Sequence, residues 1–252
     1  MTLKGKVAII TGGAQGLGKA YAFRLAEEGA RIVVADILAE QAAATAAEIR
    51  AHGGEAVGIR VDVADEASVE GMARQTIDAY GRIDVLVNNA ALFVALLPKK
   101  KFYQVTVEEW DRTMAVNVKG IFLCCKAVVP HMKAQGKGKI INISSGAALC
   151  GSWDFIHYVT SKAAVIGLTR ALAREVGDDN INVNAVAPGM TLSEGVAKTY
   201  APETLENWAQ RRCFKRLQRP DDLVGTIAFL ASDDSDFITG QTISVDGGDQ
   251  ML

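Results

Sequence analysis

The sequence predicts an α/β protein in which a doubly wound, parallel, seven-stranded sheet is covered by helices on both faces. Short apolar runs typical of buried strands alternate with longer helical patterns along the 252 residues. This alternation implies right-handed crossovers and a parallel sheet with both faces covered. No composition break or solenoid repeat interrupts it, so we expect a single domain over residues 1–252.

The first strand, residues 6–10, leads into a glycine-rich turn over residues 11–18 and then into a helix over residues 19–28. Glycines allow close approach of a ligand to the backbone, and a helix N-terminus offers free N–H groups and a positive dipole end. The turn therefore predicts a pyrophosphate site. Because its spacing differs from Gly-x-Gly-x-x-Gly, a plain strand-to-helix connection is the alternative.

The second strand, residues 31–35, ends at Asp36. A carboxylate at this position suits the hydroxyls of an adenosine ribose and repels the 2′-phosphate of NADP. Ile37 and Gln15 provide no cation for that phosphate, and we expect Lys19 to face solvent. Asp36 therefore favours NAD as the cofactor.

The remaining elements continue the alternation. We expect helices over residues 39–51, 66–80, 106–132, 158–176 and 221–230, and strands over residues 57–63, 84–87, 139–143, 181–186 and 242–245. Two segments break the pattern, residues 91–103 and 191–217, and both leave the carboxyl ends of strands, where open α/β sheets bind ligands. Lys99, Lys100 and Lys101 in the first segment suggest an anion site, but we interpret them as a solvated loop face.

Tyr158 and Lys162 are four residues apart on a predicted helix, and Tyr158 follows Ser145 by thirteen residues. Residues with this helical spacing share a face, so the phenol and the ammonium can point into one space. A nearby cation would lower the pKa of the phenol from about 10 toward neutrality, so that it could take a proton from an alcohol. Taken alone, the pair also fits an ordinary surface helix.

Together these motifs resemble the short-chain dehydrogenase/reductase family along the whole chain. The resemblance is carried by residues 11–18, Asp62-Val63, Asn88-Asn89-Ala90, Asn117, Ser145, Tyr158, Lys162, Pro188-Gly189, Gly240-Gln241 and Asp246-Gly247-Gly248. It implies a Rossmann-type fold and an oxidoreductase that moves a hydride between NAD and an alcohol. Ala91 and Thr191 depart from the family pattern, which usually has glycine and an aliphatic residue there.

The resemblance implies a role for each catalytic residue. Tyr158 would be the general base in oxidation, Lys162 would lower its pKa and bind the nicotinamide ribose, and Ser145 would hold the substrate oxygen. Asn117 would anchor a water in a proton path. Ser144 is the rival of Ser145, but the spacing to Tyr158 favours Ser145. No metal is required, because the phenol and the hydroxyl polarise the C–O bond.

The resemblance also implies the residues around the cofactor. These are Gly12, Gln15, Gly16, Leu17 and Gly18 at the pyrophosphate, Asp36 at the ribose, Asp62 and Val63 at the adenine, Asn89 and Ala90 along the adenosine ribose and phosphates, and Tyr158, Lys162, Pro188, Gly189, Thr191 and Ser193 at the nicotinamide. The segment of about residues 191–217 resembles the family's substrate lid. Trp208 and Phe214 in it are either closing surfaces or ordinary packing.

The substrate pocket follows from the same pattern. Its expected residues are Phe93, Ser145, Ala147, Trp153, Asp154, Phe155, Tyr158 and Glu194, with His157 as a further polar candidate. The aromatic rings would suit a ring, and the carboxylates or the histidine would suit a polar substituent. We therefore expect oxidation of a small cyclic or aryl secondary alcohol to its ketone, or of a cyclic hemiacetal to its lactone.

Three alternatives remain open. If the aromatic rings pack inward, the pocket is polar and suits a sugar. An NADPH-dependent 3-ketoacyl-type ketoreductase is the second alternative, against which Asp36 argues. A non-catalytic NAD-binding protein is the third, since fold does not fix function, but the presence of Ser145, Tyr158 and Lys162 argues against it.

Bulk properties predict the partners and the compartment. A net charge of -2 and a pI near 6.0 give no reason to expect nucleic acid or membrane, and no apolar run reaches the roughly 18 residues of a membrane span. We expect no signal peptide, and buried free thiols at Cys124 and Cys125, which indicate a reducing cytoplasm. The resembled family commonly forms homotetramers through the two long helices, in which Ile121, Cys125, Val128, Ala164 and Leu168 could serve core or interface.

Overall fold

Seven parallel strands form one sheet in the computed structural model, which describes residues 2–251. The strands are β1 Val7–Thr11, β2 Arg31–Asp36, β3 Glu55–Arg60, β4 Val85–Asn88, β5 Gly138–Ile143, β6 Ile181–Pro188 and β7 Thr242–Val245. Their order in the sheet is β3-β2-β1-β4-β5-β6-β7, so the direction of winding reverses between β1 and β4. The predicted doubly wound sheet is confirmed.

Ten α-helices connect the strands. They are α1 Gly16–Glu27, α2 Ala39–Ala51, α3 Glu66–Tyr80, α4 Val107–Met114, α5 Gly120–Gln135, α6 Ala147–Cys150, α7 Ile156–Val176, α8 Glu194–Thr199, α9 Pro202–Arg211 and α10 Asp221–Ala231, all within residues 2–251. Short 3-10 turns lie at Val94–Leu96, Phe102–Gln104, Gly177–Asp179 and Asp233–Ser235. A π-helical turn, Ala115–Lys119, joins α4 to α5.

Two apolar cores lie on opposite faces of the sheet because successive strand residues point to opposite sides. In β1, Ala8 and Ile10 enter the core under α1, α2 and α10, whereas Val7 and Ile9 enter the core under α3, α5 and α7. Burial on both faces explains why the strands are continuous apolar runs rather than alternating ones.

Several predicted elements differ from the structure by one to three residues at their ends, and two differ more. The third strand was expected over residues 57–63, but β3 is Glu55–Arg60, because its register begins with Glu55 opposite Arg31 at the start of β2. Val61 and Val63 lie beyond the end of this strand, and both are buried in one of the two apolar cores. They also line a large cleft at the carboxyl ends of the strands. The helix expected over residues 106–132 is interrupted by the π-turn and continues to Gln135.

The candidate interface residues divide between core and surface. Ile121, Cys125 and Val128 are buried in the core under α5, whereas Ala164 and Leu168 are only partly buried. Cys124 and Cys125 are buried free thiols, as expected. The continuous helical stretch Val107–Gln135 has the length and apolar composition of a membrane span, but its core-facing side packs against the sheet.

Candidate active site

A long cleft crosses the carboxyl ends of the strands, where the winding of the sheet reverses. Its volume of ≈ 1810 Å³ exceeds the roughly 300–1,000 Å³ of an ordinary small-molecule pocket, so it has room for a dinucleotide and a second ligand. The glycine turn and Asp36 line one end, and Tyr158, Lys162 and the lid segment line the other. This is the location that the two irregular segments of the sequence predict.

The glycine turn has no space for a side chain at Gly12, Gly13 or Gly18. A Cβ at Gly18 would collide with the Gly12 carbonyl oxygen and lie 2.6 Å from Nδ2 of Asn89. Gly12 has a φ of +63° and faces the backbone of Ala90. Asn89 donates from Nδ2 to the carbonyls of Thr11 and Gly12, each at 3.0 Å, which ties the turn to the end of β4.

Helix α1 begins at this turn without a side-chain cap. Gln15 precedes the first helical residue, Gly16, in an extended conformation, and its side chain makes no capping hydrogen bond. The first N–H groups of the helix therefore point toward the cleft without a side-chain acceptor, as an anion site requires.

Asp36 is held in place by the backbone of the turn. Its two carboxylate oxygens accept hydrogen bonds from the N–H groups of Ala14, at 3.0 Å, and Leu38, at 3.1 Å. Each oxygen keeps a further lone pair for a ligand hydroxyl. Lys19, expected to face solvent, lies half-buried at the cleft edge and forms an ion pair with Glu48 at 2.7 Å.

Tyr158 and Lys162 lie on one face of α7, one turn apart, and both are buried in the cleft wall. The Lys162 amine donates to the carbonyl of Ile143, at the end of β5, at 2.7 Å and lies 5.9 Å from the centre of the Tyr158 ring. Ser144 turns away and donates to the Lys162 carbonyl at 2.8 Å. The Ser145 hydroxyl is the one beside the Tyr158 phenol.

The direction of the tyrosine pKa is opposite to the one expected from its lysine neighbour. Burial raises the pKa of Tyr158 to about 12, which the Ser145 hydroxyl partly offsets and the Tyr200 phenol increases. Burial also lowers the pKa of Lys162 to about 8. The expected lowering of the phenol pKa is therefore not seen in this structure, where burial is the largest cause of the shift and the Lys162 amine donates to the Ile143 carbonyl.

Asn117 lies in the π-turn and is fully buried. Its side chain accepts from the N–H of Leu92 at 2.7 Å and donates to the Leu92 carbonyl at 3.2 Å and to Oγ of Ser161 at 3.1 Å. The amide thus fixes the segment after β4 against α7. The expected role of Asn117 in anchoring a water stays a prediction.

The predicted nicotinamide residues Pro188, Gly189, Thr191 and Ser193 all line the cleft. The hydroxyl of Thr191, the departure from the family pattern, lies 3.0 Å from the Gly189 carbonyl and 3.2 Å from Oε1 of Gln218, either of which can accept its proton. Gln218 donates to the Val245 carbonyl at 2.6 Å. The contact between Thr191 and Gln218 joins the start of the lid segment to the residue that follows its end, and Gln218 also binds β7.

Sequence reasoning missed Gln218 and Arg212. Arg212 is 1% exposed and donates to the carbonyls of Met190 and Arg216, the latter at 3.3 Å. It therefore anchors the lid to the loop after β6. A buried arginine between polar neighbours leaves no periodic signal by which it could be found.

Three aromatic rings form the wall of the substrate end. Phe155 stacks on Tyr158 with ring centres 4.8 Å apart, and Phe93 packs edge-on against both. Phe155 is only 2% exposed, so it supports the phenol more than it offers open surface. Ala147 lines the same end, and Trp153 lines the mouth with 89% of its side chain exposed.

The polar candidates are mostly elsewhere. Asp154 is absent from the cleft wall, has a φ of 58°, and forms an ion pair with Lys101 at 3.1 Å. His157 is buried against Phe155 behind the wall. Of the three alternatives for a polar substituent, Asp154 and His157 therefore do not line the cleft, whereas Glu194 lines the mouth with an exposed carboxylate.

Lys99 also departs from its interpretation as part of a solvated loop face. It is half-buried and lines the cleft, where its amine donates to Oγ of Ser152 at 3.0 Å and lies 5.2 Å from the centre of the Phe155 ring. In the lid, Trp208 lines the cleft and packs against Tyr200, whereas Phe214 is exposed outside it.

Known proteins resemble the chain over nearly its full length. A family model described as enoyl-(acyl carrier protein) reductase matches residues 12–249. The chain is 44% identical to a subunit of (2S)-((R)-hydroxy(phenyl)methyl)succinyl-CoA dehydrogenase from Thauera aromatica, covering 100% of this chain and 99% of that protein. It is 43% identical to a sorbitol dehydrogenase from Cereibacter sphaeroides, covering 100% of both. It is 39% identical to a 3-oxoacyl-(acyl-carrier-protein) reductase from Thermotoga maritima, covering 98% of this chain and 99% of that protein.

Proposed function

The chain belongs to the short-chain dehydrogenase/reductase family, whose members are oxidoreductases of alcohols and ketones, and we propose that this member oxidises a small aryl or cyclic secondary alcohol with NAD. The observation that carries the proposal is the arrangement of Ser145, Tyr158 and Lys162 beside an aromatic wall, at one end of a cleft that begins at Asp36.

The residues present fit a nicotinamide dinucleotide. The glycine turn leaves a cradle that a Cβ at Gly18 would fill, and the uncapped start of α1 offers N–H groups for the pyrophosphate. Asp36 would accept hydrogen bonds from the adenosine ribose, and Lys162 would donate to the nicotinamide ribose. When bound, an oxidised nicotinamide supplies the hydride acceptor and a positive charge near the phenol.

Tyr158 is the proposed proton acceptor. The Ser145 hydroxyl would hold the substrate oxygen beside the phenol, and Oη of Tyr158 would accept the hydroxyl proton as the carbon–oxygen double bond forms. Because burial raises the pKa of this phenol to about 12, cations in the same desolvated space must favour the phenolate. Lys162 is one such cation, held on the same face of α7 by the Ile143 carbonyl.

Two observations support an aryl or cyclic substrate. Phe93 packs edge-on against Tyr158 and gives partly exposed apolar surface at the reacting end, whereas Phe155 is packed inward against Tyr158. The name of the Thauera aromatica relative contains a hydroxy(phenyl)methyl group, which is an aryl secondary alcohol. The sorbitol dehydrogenase relative supports a polyol or sugar instead, and the position of Asp154 outside the cleft argues against extra polar contacts.

The second candidate is an NADPH-dependent 3-ketoacyl-type reductase, which the 3-oxoacyl reductase relative favours. Asp36 argues against it, because a carboxylate fixed by two backbone N–H groups would face the 2′-phosphate of NADP. Lys19 is already paired with Glu48 and so is poorly placed to offset that repulsion.

Initial rates test the proposal directly. NAD and NADP would each be tried with 1-phenylethanol, cyclohexanol, sorbitol and a 3-hydroxyacyl thioester, and we expect the highest kcat/KM with NAD and an aryl or cyclic alcohol. Tyr158→Phe should lower kcat by about 10²–10⁴-fold while calorimetric NAD binding persists. Activity confined to NADP and the thioester would replace the proposal with the second candidate, and no activity on any alcohol or ketone would indicate a non-catalytic protein.

A further inference from the structure

The three consecutive lysines after β4 have different electrostatic partners. Lys100 forms an ion pair with Glu109, and Lys101 forms one with Asp154 at 3.1 Å. Among residues 2–251, no carboxylate lies within 4.0 Å of the Lys99 amine. Lys99 is also the one of the three that lines the cleft.

The surroundings of Lys99 favour an anion. Its amine donates to Oγ of Ser152 at 3.0 Å, and an ammonium has three donors, so two remain for a ligand. The aromatic face of Phe155 lies on another side, 5.2 Å from ring centre to amine. Partial burial lowers the pKa of Lys99, and the charge of Asp154 partly opposes that shift. Partial burial also strengthens the attraction of the ammonium for an anion relative to a lysine in bulk water.

Lys99 is close to the reacting end. Phe155 is shared between Lys99 and Tyr158, since its ring centre lies 5.2 Å from the amine and 4.8 Å from the centre of the tyrosine ring. A substrate held at the Tyr158 phenol could therefore place a substituent a few bonds from its carbinol carbon at Lys99.

Apart from Lys162, which is assigned to the reacting end beside Tyr158, the other cations along the cleft are exposed or already paired. Arg211 lies 3.6 Å from Asp249, Lys19 is paired with Glu48 at the opposite end, and the Lys198 side chain is 80% exposed. Arg112 lines the wall from an exposed position. Lys99 combines partial burial, proximity to Tyr158 and free donors.

We propose that Lys99 is a specificity-determining residue that binds a carboxylate of the alcohol substrate. The inference rests on the proposed function, and it narrows the substrate class to aryl or cyclic secondary alcohols that carry a carboxylate a few bonds from the carbinol carbon. A single ammonium with one hydroxyl neighbour suits a carboxylate better than a phosphate, which typically engages several donors.

Paired substrates test this inference. The carboxylate 3-hydroxy-3-phenylpropanoate and its neutral methyl ester share the same carbinol and ring. The variant Lys99→Met removes the charge and keeps an apolar chain over Phe155, whereas Lys99→Arg keeps the charge. Lys101→Met is the matched control, because it removes a charge from the same segment at an exposed position outside the cleft.

We expect wild type to prefer the carboxylate by kcat/KM. Lys99→Met should lower kcat/KM for the carboxylate by about 10- to 100-fold, mainly through KM, and for the ester by less than about threefold. Lys99→Arg should restore most of the loss, and Lys101→Met should change neither substrate by more than about twofold. Equal losses on both substrates, or no loss on either, would overturn the inference while leaving the proposed function standing.

Failure of the proposed function has a different outcome. If wild type oxidises neither of these substrates nor 1-phenylethanol or cyclohexanol with NAD or NADP, the proposed function fails, and calorimetric binding of 3-phenylpropanoate to wild type and Lys99→Met then decides the inference alone. At least tenfold weaker binding by Lys99→Met would support an anion site, and equal affinities would reject it.

Discussion

Replacement of Lys162 by methionine should make the stability of the protein less dependent on pH. The amine is buried beside Tyr158, and burial lowers its pKa from 10.5 to about 8. That shift corresponds to about 3 kcal/mol by which the folded state disfavours the ammonium.

The sign follows from proton binding. Below pH 8 the lysine is protonated in both states, so the folded state bears the full cost of the buried charge. Between pH 8 and 10.5 the unfolded state binds a proton that the folded state does not, and the wild-type free energy of unfolding rises with pH. The free-energy cost of burying the ammonium has vanished once the pH exceeds 10.5, the pKa of this lysine in the unfolded state.

The free energy of unfolding of Lys162→Met minus that of wild type should therefore fall by about 2 kcal/mol between pH 7 and pH 10, because wild type gains stability over this range and the variant does not. The variant also leaves the Ile143 carbonyl without its lysine donor, but that cost does not depend on pH and cancels in the comparison.

Urea unfolding at pH 7, 8, 9 and 10 measures the effect. Lys126→Met is the control, because Lys126 is a 58% exposed partner of Glu66 and should change the free energy of unfolding by less than about 1 kcal/mol throughout. A stability difference between Lys162→Met and wild type that stays constant from pH 7 to pH 10 would refute the reasoning. We also expect the variant to lose dehydrogenase activity, a trade of function for stability.

Three further predictions concern the cofactor and the assembly. Gly18→Ala should lower Tm by about 4–10 °C and weaken NAD binding more than tenfold in calorimetry, because the added methyl group meets the Gly12 carbonyl. Gly71→Ala in α3 is the control and should leave NAD binding unchanged, because its methyl group meets only side-chain ends at 3.7 and 3.9 Å. Asp36→Ser should lower kcat/KM with NAD by about tenfold or more and narrow the preference over NADP, and equal wild-type kcat/KM values for the two cofactors would contradict that assignment. Light scattering should give a homotetramer, and a monomer at micromolar concentration would contradict this prediction. The half-exposed Phe122 and its neighbours Met114 and Val118 line an apolar groove along α4, the π-turn and α5 that could serve as an interface.

Some expectations needed correction because burial and loop geometry depend on distant residues. The spacing of Tyr158 and Lys162 correctly placed both on one helix face, but the pKa direction depended on desolvation by the surrounding wall. Asp154 looked like a substrate ligand beside Trp153, yet its backbone turns it toward Lys101. Lys99 looked like part of a solvated run, yet the loop brings it over Phe155.

What the sequence determined by itself was the sheet, the glycine turn and the shared helix face of Tyr158 and Lys162. Those features are local, because strand and helix periods, a missing Cβ at Gly18 and the helical spacing of Tyr158 and Lys162 are all set by near neighbours in the chain. The tertiary structure alone decided the pairing of Thr191 with Gln218, the burial of Arg212 and the environment of Lys99. Each of these depends on segments that are distant in sequence and meet only after folding, so no local pattern predicts them.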